Sequence, residues 1–382
     1  MRIRRPALER RLIALIEASP SRVPVVMGSC GSGRTTALND IRDRVGRELC
    51  QYVDLERAAT TPEHFHRALC LDSPFVAPDV PLATPTPLGA FQATVAFLTG
   101  ARGTDGGPAT FLIDEVLEFR TFENFPGLRH LMRELLAALA ASRNRFVLTT
   151  RFTTRALRLF RDADAHFEVV QMPALDADEI RDAVASAPGL AEDVEYAARA
   201  IHGLTDGHAG YARALIEAWQ TLEGRESADP VAALATLLEP DAPFARRIGW
   251  SYELRLHRAR GYGALKGILG ILADDEPLTL TEIALRLQRT PGSTKDYLSW
   301  LEDVDLVSVR QKRYSFTDPL VRLWVGVHCR PAPPNDDEVS SAVQQYALAR
   351  LPTGEPAPAL ALAGSIAADG DDRKSWGIIE ID

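Results

Sequence analysis

Gly28, Gly33, Arg34 and Thr35 stand at the spacing Gly-x-x-x-x-Gly-basic-hydroxyl, directly after the β-branched run Val23, Val25 and Val26. Ser29, Cys30, Gly31 and Ser32 lie between the glycines, and Thr36 follows. Glycines so placed let successive backbone N–H groups turn inward around phosphate oxygens, and a helix starting near Thr35 adds its positive N-terminus. Thr35 offers a hydroxyl to Mg²⁺. Arg34 stands where this pattern carries lysine. Its planar fork is wider than an ammonium, so the substitution predicts phosphate binding more directly than fast hydrolysis.

Two later runs carry matching chemistry. The apolar run 109–115 ends in Asp114 and Glu115. On a strand beside the loop, Asp114 would hold Mg²⁺ through water, and Glu115 would orient or deprotonate an attacking water. The alternative is an ordinary solvated strand end. The run 145–151 is a second buried-type strand with a polar, basic exit. Thr149 or Thr150 would sense a γ-phosphate there, and Arg151 would contact it. Three strands with this chemistry at their C-terminal ends point to nucleotide binding, with ATP and Mg²⁺ as the expected ligands.

These stretches resemble the AAA+/STAND class of P-loop ATPases, and within it the archaeal-type ATPase branch found in prokaryotes. Two further segments are similar to that branch. Residues 203–215 resemble its Gly-Gly-His-Pro motif at the start of a lid helix, with Asp206 for the first glycine and Ala209 for the proline. Residues 314–324 resemble the end of its winged helix, and the likeness covers roughly 5–328. The resemblance implies His208 as a nucleotide sensor; a capping or surface histidine is the other reading. It also implies an arginine donated to a neighbouring subunit of a homo-oligomer, for which Arg155, Arg158 and Arg161 are the candidates. A solvated basic helix face accounts for the same three residues.

These residues need strands and helices to position them. Short apolar strands at 23–27, 51–55, 109–115, 146–149 and 167–172 alternate with helical stretches. Such alternation predicts an α/β P-loop NTPase core, a mostly parallel sheet with helices on both faces, with ligands at the strands' carboxyl ends. A helix over 126–141 is expected within it. From 176 onward the period is helical, which predicts an all-α lid and then a winged-helix domain. The expected boundaries are core 1–173, lid 174–225, linker helices and winged helix 226–330, and an acidic tail 331–382. The linker helices carry a basic face with Arg246, Arg247, Arg255, Arg258 and Arg260. The wing centres on Arg310, Lys312 and Arg313, but the recognition helix pairs Lys295 with Asp296. That neutrality favours protein contact or domain packing over DNA. The tail is too rich in Pro, Gly and acidic residues to order itself, save for a short helix over 339–351. Its apolar end, with Trp376, Ile378, Ile379 and Ile381, suits a protein partner's groove or sheet edge.

Composition narrows the class. The formal net charge of −9 argues against an obligatory nucleic-acid coat. Cys30, Cys50, Cys70 and Cys329 form no metal-type pair, which suggests a reducing, cytoplasmic setting and no zinc site. No apolar run is long enough to span a bilayer. The basic N-terminus leads into an amphipathic helix rather than a signal peptide.

Overall fold

The computed structural model describes residues 3–18, 22–76, 86–161, 166–187, 194–222, 229–257 and 261–351. Arg258, Arg260 and the tail from 352, including Trp376 and its isoleucines, lie outside the described residues.

Helix α1 (Pro6–Glu17) leads to β1 (Val23–Met27), the phosphate-type loop and α2 (Arg34–Val45). Strand β2 (Cys50–Asp54) is followed by α3 (Leu55–Ala58), α4 (Pro62–Leu71) and α5 (Pro87–Gly100). Thr61 and Thr86 cap the last two, each with proline at the first helical position, where its missing N–H costs nothing. Strand β3 (Thr110–Asp114), α6 (Leu131–Ala141), β4 (Arg145–Thr150), α7 (Thr153–Phe160) and β5 (Phe167–Gln171) complete the core. The five strands run parallel in the order β2-β3-β4-β1-β5. That order puts β1 and its loop beside β4, one strand from β3. Apolar clusters lie on both faces: one with α1 and α2, the other with α4, α5 and the aromatics Phe65, Phe111 and Phe146. The strands are therefore buried on both sides, as their uninterrupted apolar runs require.

The helix expected over 126–141 starts only at Leu131. Pro126 and Gly127, the latter at φ 83°, turn the chain first. A 3₁₀ segment (Val116–Asn124) precedes that turn and buries Phe119 and Phe122 against Phe65.

Beyond the core come α8 (Ala177–Ala185), α9 (Val194–Thr205), α10 (Ala209–Leu222), α11 (Pro230–Leu238) and α12 (Pro243–His257). The C-terminal module contains α13 (Tyr262–Asp274), β6 (Leu278–Thr279), α14 (Leu280–Leu287), α15 (Pro291–Asp303), β7 (Val307–Arg310), β8 (Arg313–Phe316) and α16 (Pro319–His328). Its strands form an antiparallel sheet ordered β6-β8-β7, with Gln311 and Lys312 at positive φ in the hairpin turn. Three helices, α13, α14 and α15, thus precede a β-hairpin at the position where the wing was expected. Helix α17 (Asp336–Leu348) follows and buries Val339, Val343 and Ala347. One continuous apolar cluster joins α8–α17, so the helices after β5, the C-terminal module and α17 share a core. Helix α17 falls close to the short helix expected over 339–351.

Candidate functional site

The loop after β1 is shaped by its glycines. Gly31 and Gly33 have φ of 84° and 98°, a region that L side chains rarely adopt. A Cβ on Gly28 would stand 2.6 Å from Ser32 Oγ, and one on Gly31 would stand 3.0 Å from the His208 ring. Helix α2 starts directly at Arg34, with Gly33 as its cap, so its free N–H groups face the loop. Three buried polar atoms here have no partner: Ser32 Oγ, Arg34 Nε and Arg34 Nη1. Leaving such groups unsatisfied is costly, so their presence fits an anionic ligand in the cradle.

The strand ends meet this loop. Arg34 Nη2 donates to Glu115 Oε1 at 2.8 Å, and both side chains are less than one-tenth exposed. Thr35 Oγ1 donates to Asp114 Oδ2 at 2.7 Å. The Tyr52 hydroxyl donates to the same oxygen at 2.9 Å. Thr149 donates to Asp114 Oδ1 and accepts from the Glu115 N–H at 3.2 Å. Thr150 accepts from the Phe152 N–H instead. The hydroxyl–carboxylate pair of Thr35 and Asp114 is a hard-oxygen donor set, which fits Mg²⁺ completed by phosphate and water.

Glu115 sits at φ 58° in the left-handed region, a strained conformation for a residue with a Cβ. The Arg151 N–H donates to its Oε2 at 3.1 Å. Burial pushes the Glu115 carboxyl above its ordinary range, while the Arg34 and Arg151 charges pull the other way. The Arg151 guanidinium, expected on a γ-phosphate, lies here among carboxylates: Glu56 at 2.7 Å, Glu118 at 3.3 Å and Glu115 at 3.7 Å. Burial opposes its charge, but these three partners more than offset that and raise its pKa.

His208 lies over the loop. Its Nε2 donates to the Cys30 carbonyl at 3.0 Å, and its Nδ1 accepts the Tyr211 N–H at 3.3 Å. The two contacts together require the neutral imidazole with its proton on Nε2. Burial, partly opposed by Asp318, lowers the ring's pKa accordingly. Beside it, the Gly210 N–H donates to the Gly31 carbonyl at 2.9 Å. His208 thus caps the start of α10, one of the two readings of this residue, and its ring also reaches the main chain of the loop.

Two cavities flank the loop. One, of about 590 Å³, is lined by Ile3, Leu8, Thr36, Ala209 and Arg213 together with Gly31, Gly33, Arg34 and Thr35. The other, of about 500 Å³, includes Gly28, Ser29, Ser32, Arg151 and His208 and is closed by the C-terminal module. The first lies between the loop with α2 and the start of α10.

No protein-family model matches the chain, and no curated protein matches it. Among solved structures, the Walker-type ATPase paby2304 of Pyrococcus abyssi superposes with a TM-score of 0.63 at 16% identity, over 85% of this chain and 96% of that one. The fold is that of a P-loop NTPase core followed by a helical C-terminal part. Looser superpositions include the Aeropyrum pernix ORC1 protein in complex with DNA, with a TM-score of 0.45 at 16% identity over 90% and 93% of the two chains. A variant of Thermotoga maritima RuvB gives 0.42 at 15% identity over 83% and 93%.

Several contacts of this core were not foreseen. Asp305, at φ 54° between α15 and β7, caps the start of α7. Its carboxylate accepts from the Thr153 N–H at 2.7 Å, the Thr154 N–H at 3.0 Å and the Thr154 hydroxyl at 2.7 Å. Arg158 pairs with Asp303 at 2.6 Å, and the Tyr211 hydroxyl donates to Asp318 Oδ2 at 2.6 Å. The C-terminal module is therefore fastened both to the exit of β4 and to α10. Of the finger candidates, Arg158 is engaged within its own chain, the Arg155 guanidinium lies 5.3 Å from the Phe152 ring, and Arg161 is exposed. Tyr52, Glu56 and Glu118 were also unassigned; only their place near the strand ends could have signalled them.

Proposed function

We propose that this chain binds ATP with Mg²⁺ and hydrolyses it as a cytoplasmic switch protein. The observation that carries this reading is the glycine cradle holding unpartnered Ser32 Oγ, Arg34 Nε and Arg34 Nη1 beside the Thr35–Asp114 pair. In this reading the backbone from Gly28 to Gly33, with Arg34, holds the phosphates, and Thr35 and Asp114 hold the cation. When bound, Mg²⁺ neutralises phosphate charge. Glu115 takes a proton from, or orients, the attacking water, and Thr149 keeps Asp114 and Glu115 in register. Arg151 steadies Glu115 and is the group nearest to sense a γ-phosphate. His208 reports the state of the loop to the lid.

The second half of the switch is the C-terminal module, read as a winged helix. Its Asp305 caps the helix that follows the sensor strand, and its Asp318 holds Tyr211, whose ring packs 3.9 Å from His208. Nucleotide-dependent movement of the loop, lid or sensor strand would then strain these contacts and shift the module. A protein partner, reached through the winged helix or the tail, fits this reading better than DNA. Arg313 of the wing is engaged by the Pro277 carbonyl at 3.0 Å and lies 3.6 Å from Glu282. A homo-oligomer with a finger from Arg155, Arg158 or Arg161 requires Arg158 to exchange Asp303 for a neighbour's phosphate.

The second reading is a nucleotide-binding scaffold that does not hydrolyse. The closed Arg34–Glu115 pair favours it, since each side chain occupies the other. Steady-state phosphate release decides between the two. Hydrolysis predicts release by the wild type that is lost in Glu115→Gln, whereas binding of ATP without release by either protein establishes the scaffold.

A further inference from the structure

Asp114 is held by three hydroxyl groups. Thr35 belongs to the loop helix and Thr149 to the sensor strand, but the third donor, Tyr52, comes from β2 and belongs to no motif. Strands β2 and β3 pair in parallel, with Tyr52 opposite Leu112 and Asp54 opposite Asp114. Directly opposed residues share a sheet face, and two residues rise about 6.6 Å along a strand. Tyr52 therefore starts one pleat below Asp114 on its own face, and the length of the phenol ring carries the hydroxyl up to the carboxylate. The ring packs, half-buried, against the cluster that contains Leu38 and Ile41 of α2. Asp114 itself is buried and makes no ion pair among the described residues, so hydroxyl donors alone orient it.

The three donors are not equivalent. Thr35 lies at the cavity and is the donor whose oxygen a cation would also engage. Thr149 is already shared with the Glu115 N–H. The phenol of Tyr52 has Asp114 as its acceptor and reaches it from inside the fold.

We infer that Tyr52 is a positioning residue: its hydroxyl holds the Asp114 carboxylate in the orientation from which it serves the cation of a bound nucleotide. This inference rests on the nucleotide-binding reading. A purely space-filling tyrosine would be replaced by phenylalanine without consequence, since only the hydroxyl is lost.

The test uses the full chain and a fluorescent ATP analogue, titrated with and without Mg²⁺. For Tyr52→Phe, affinity in EDTA should stay within about twofold of wild type. The Mg²⁺ concentration for half-maximal enhancement of binding should rise about tenfold, as is usual when an outer partner of a metal ligand is removed. In an Asp114→Asn background the same change should move that concentration by less than about twofold, because the hydroxyl acts through the carboxylate. An unchanged Mg²⁺ midpoint overturns the inference, as does an equal loss of affinity in EDTA and in Mg²⁺. If the wild type binds no nucleotide under either condition, the proposed function falls and takes this inference with it. Wild-type binding with an unmoved midpoint in Tyr52→Phe removes the inference alone.

Discussion

Replacing Glu115 with alanine should weaken the empty protein and tighten its hold on nucleotide. Arg34 and Glu115 meet at 2.8 Å, both almost wholly buried, and two of the Arg34 nitrogens already lack partners. Removing the carboxylate leaves a buried guanidinium uncompensated, which costs about 3–5 kcal/mol when one member of such a pair is lost. In the wild type, a phosphate must draw Arg34 away from Glu115. A hydrogen bond between charged groups contributes about 1.5–3 kcal/mol. Relief from breaking it should therefore raise ATP affinity roughly 10- to 100-fold, at about 1.4 kcal/mol per factor of ten. Removing a negative charge beside the phosphates acts in the same direction. Calorimetric titration gives the affinity, and thermal denaturation with and without nucleotide gives the stability. The empty variant should melt several degrees below wild type and gain more from saturating nucleotide. Unaltered melting of the empty variant, or affinity equal to or below that of wild type, would refute the idea that this pair is the resting lock of the site.

Arg34→Ala should abolish nucleotide binding by calorimetry, and retained affinity would contradict the assignment of the cradle. Asp305→Ala removes three hydrogen bonds from the start of α7, with a loss of about 1–2 kcal/mol at that cap. Hydrogen exchange of the Thr153 and Thr154 amides should quicken, and unaltered protection would show that the cap contributes nothing. The His208 pKa is lowered by burial, so its contribution to stability is complete above the ordinary value near 6.5 and is lost as pH falls through the folded value. The wild-type melting temperature should therefore drop on acidification through that window, and His208→Gln should flatten the drop. Parallel pH profiles for the two proteins would rule this out.

Much of the core was legible because its strands are short apolar runs punctuated by glycine and polar exits. The Gly28–Thr35 spacing located the cradle, and the carboxylates at the end of β3 located its partners. Helix starts were readable where a side chain caps them, as at Asp176 with Glu179 or Thr61 before Pro62. What escaped depends on contacts between residues far apart in the chain. The Arg34–Glu115 pair spans 81 positions and the Asp305 cap about 150, and neither residue type signals its partner. The 3₁₀ segment escaped because its pattern is set by the aromatics it packs against, Phe65 among them, rather than by an amphipathic period. Helix α17 was legible as a helix, but its docking against the lid through the Tyr346 hydroxyl and the Leu204 carbonyl was not.

Several contacts between the sheet layer and the helices after β5 are polar: Gly210 to Gly31, His208 to Cys30, Asp305 to α7, and Arg158 to Asp303. Oily side chains, by contrast, are gathered into clusters on either side of that boundary. Water can replace hydrogen bonds at such a seam with little penalty, whereas it cannot replace buried methyl groups. Opening along this seam would exchange hydrogen bonds for water while leaving the apolar clusters on either side intact.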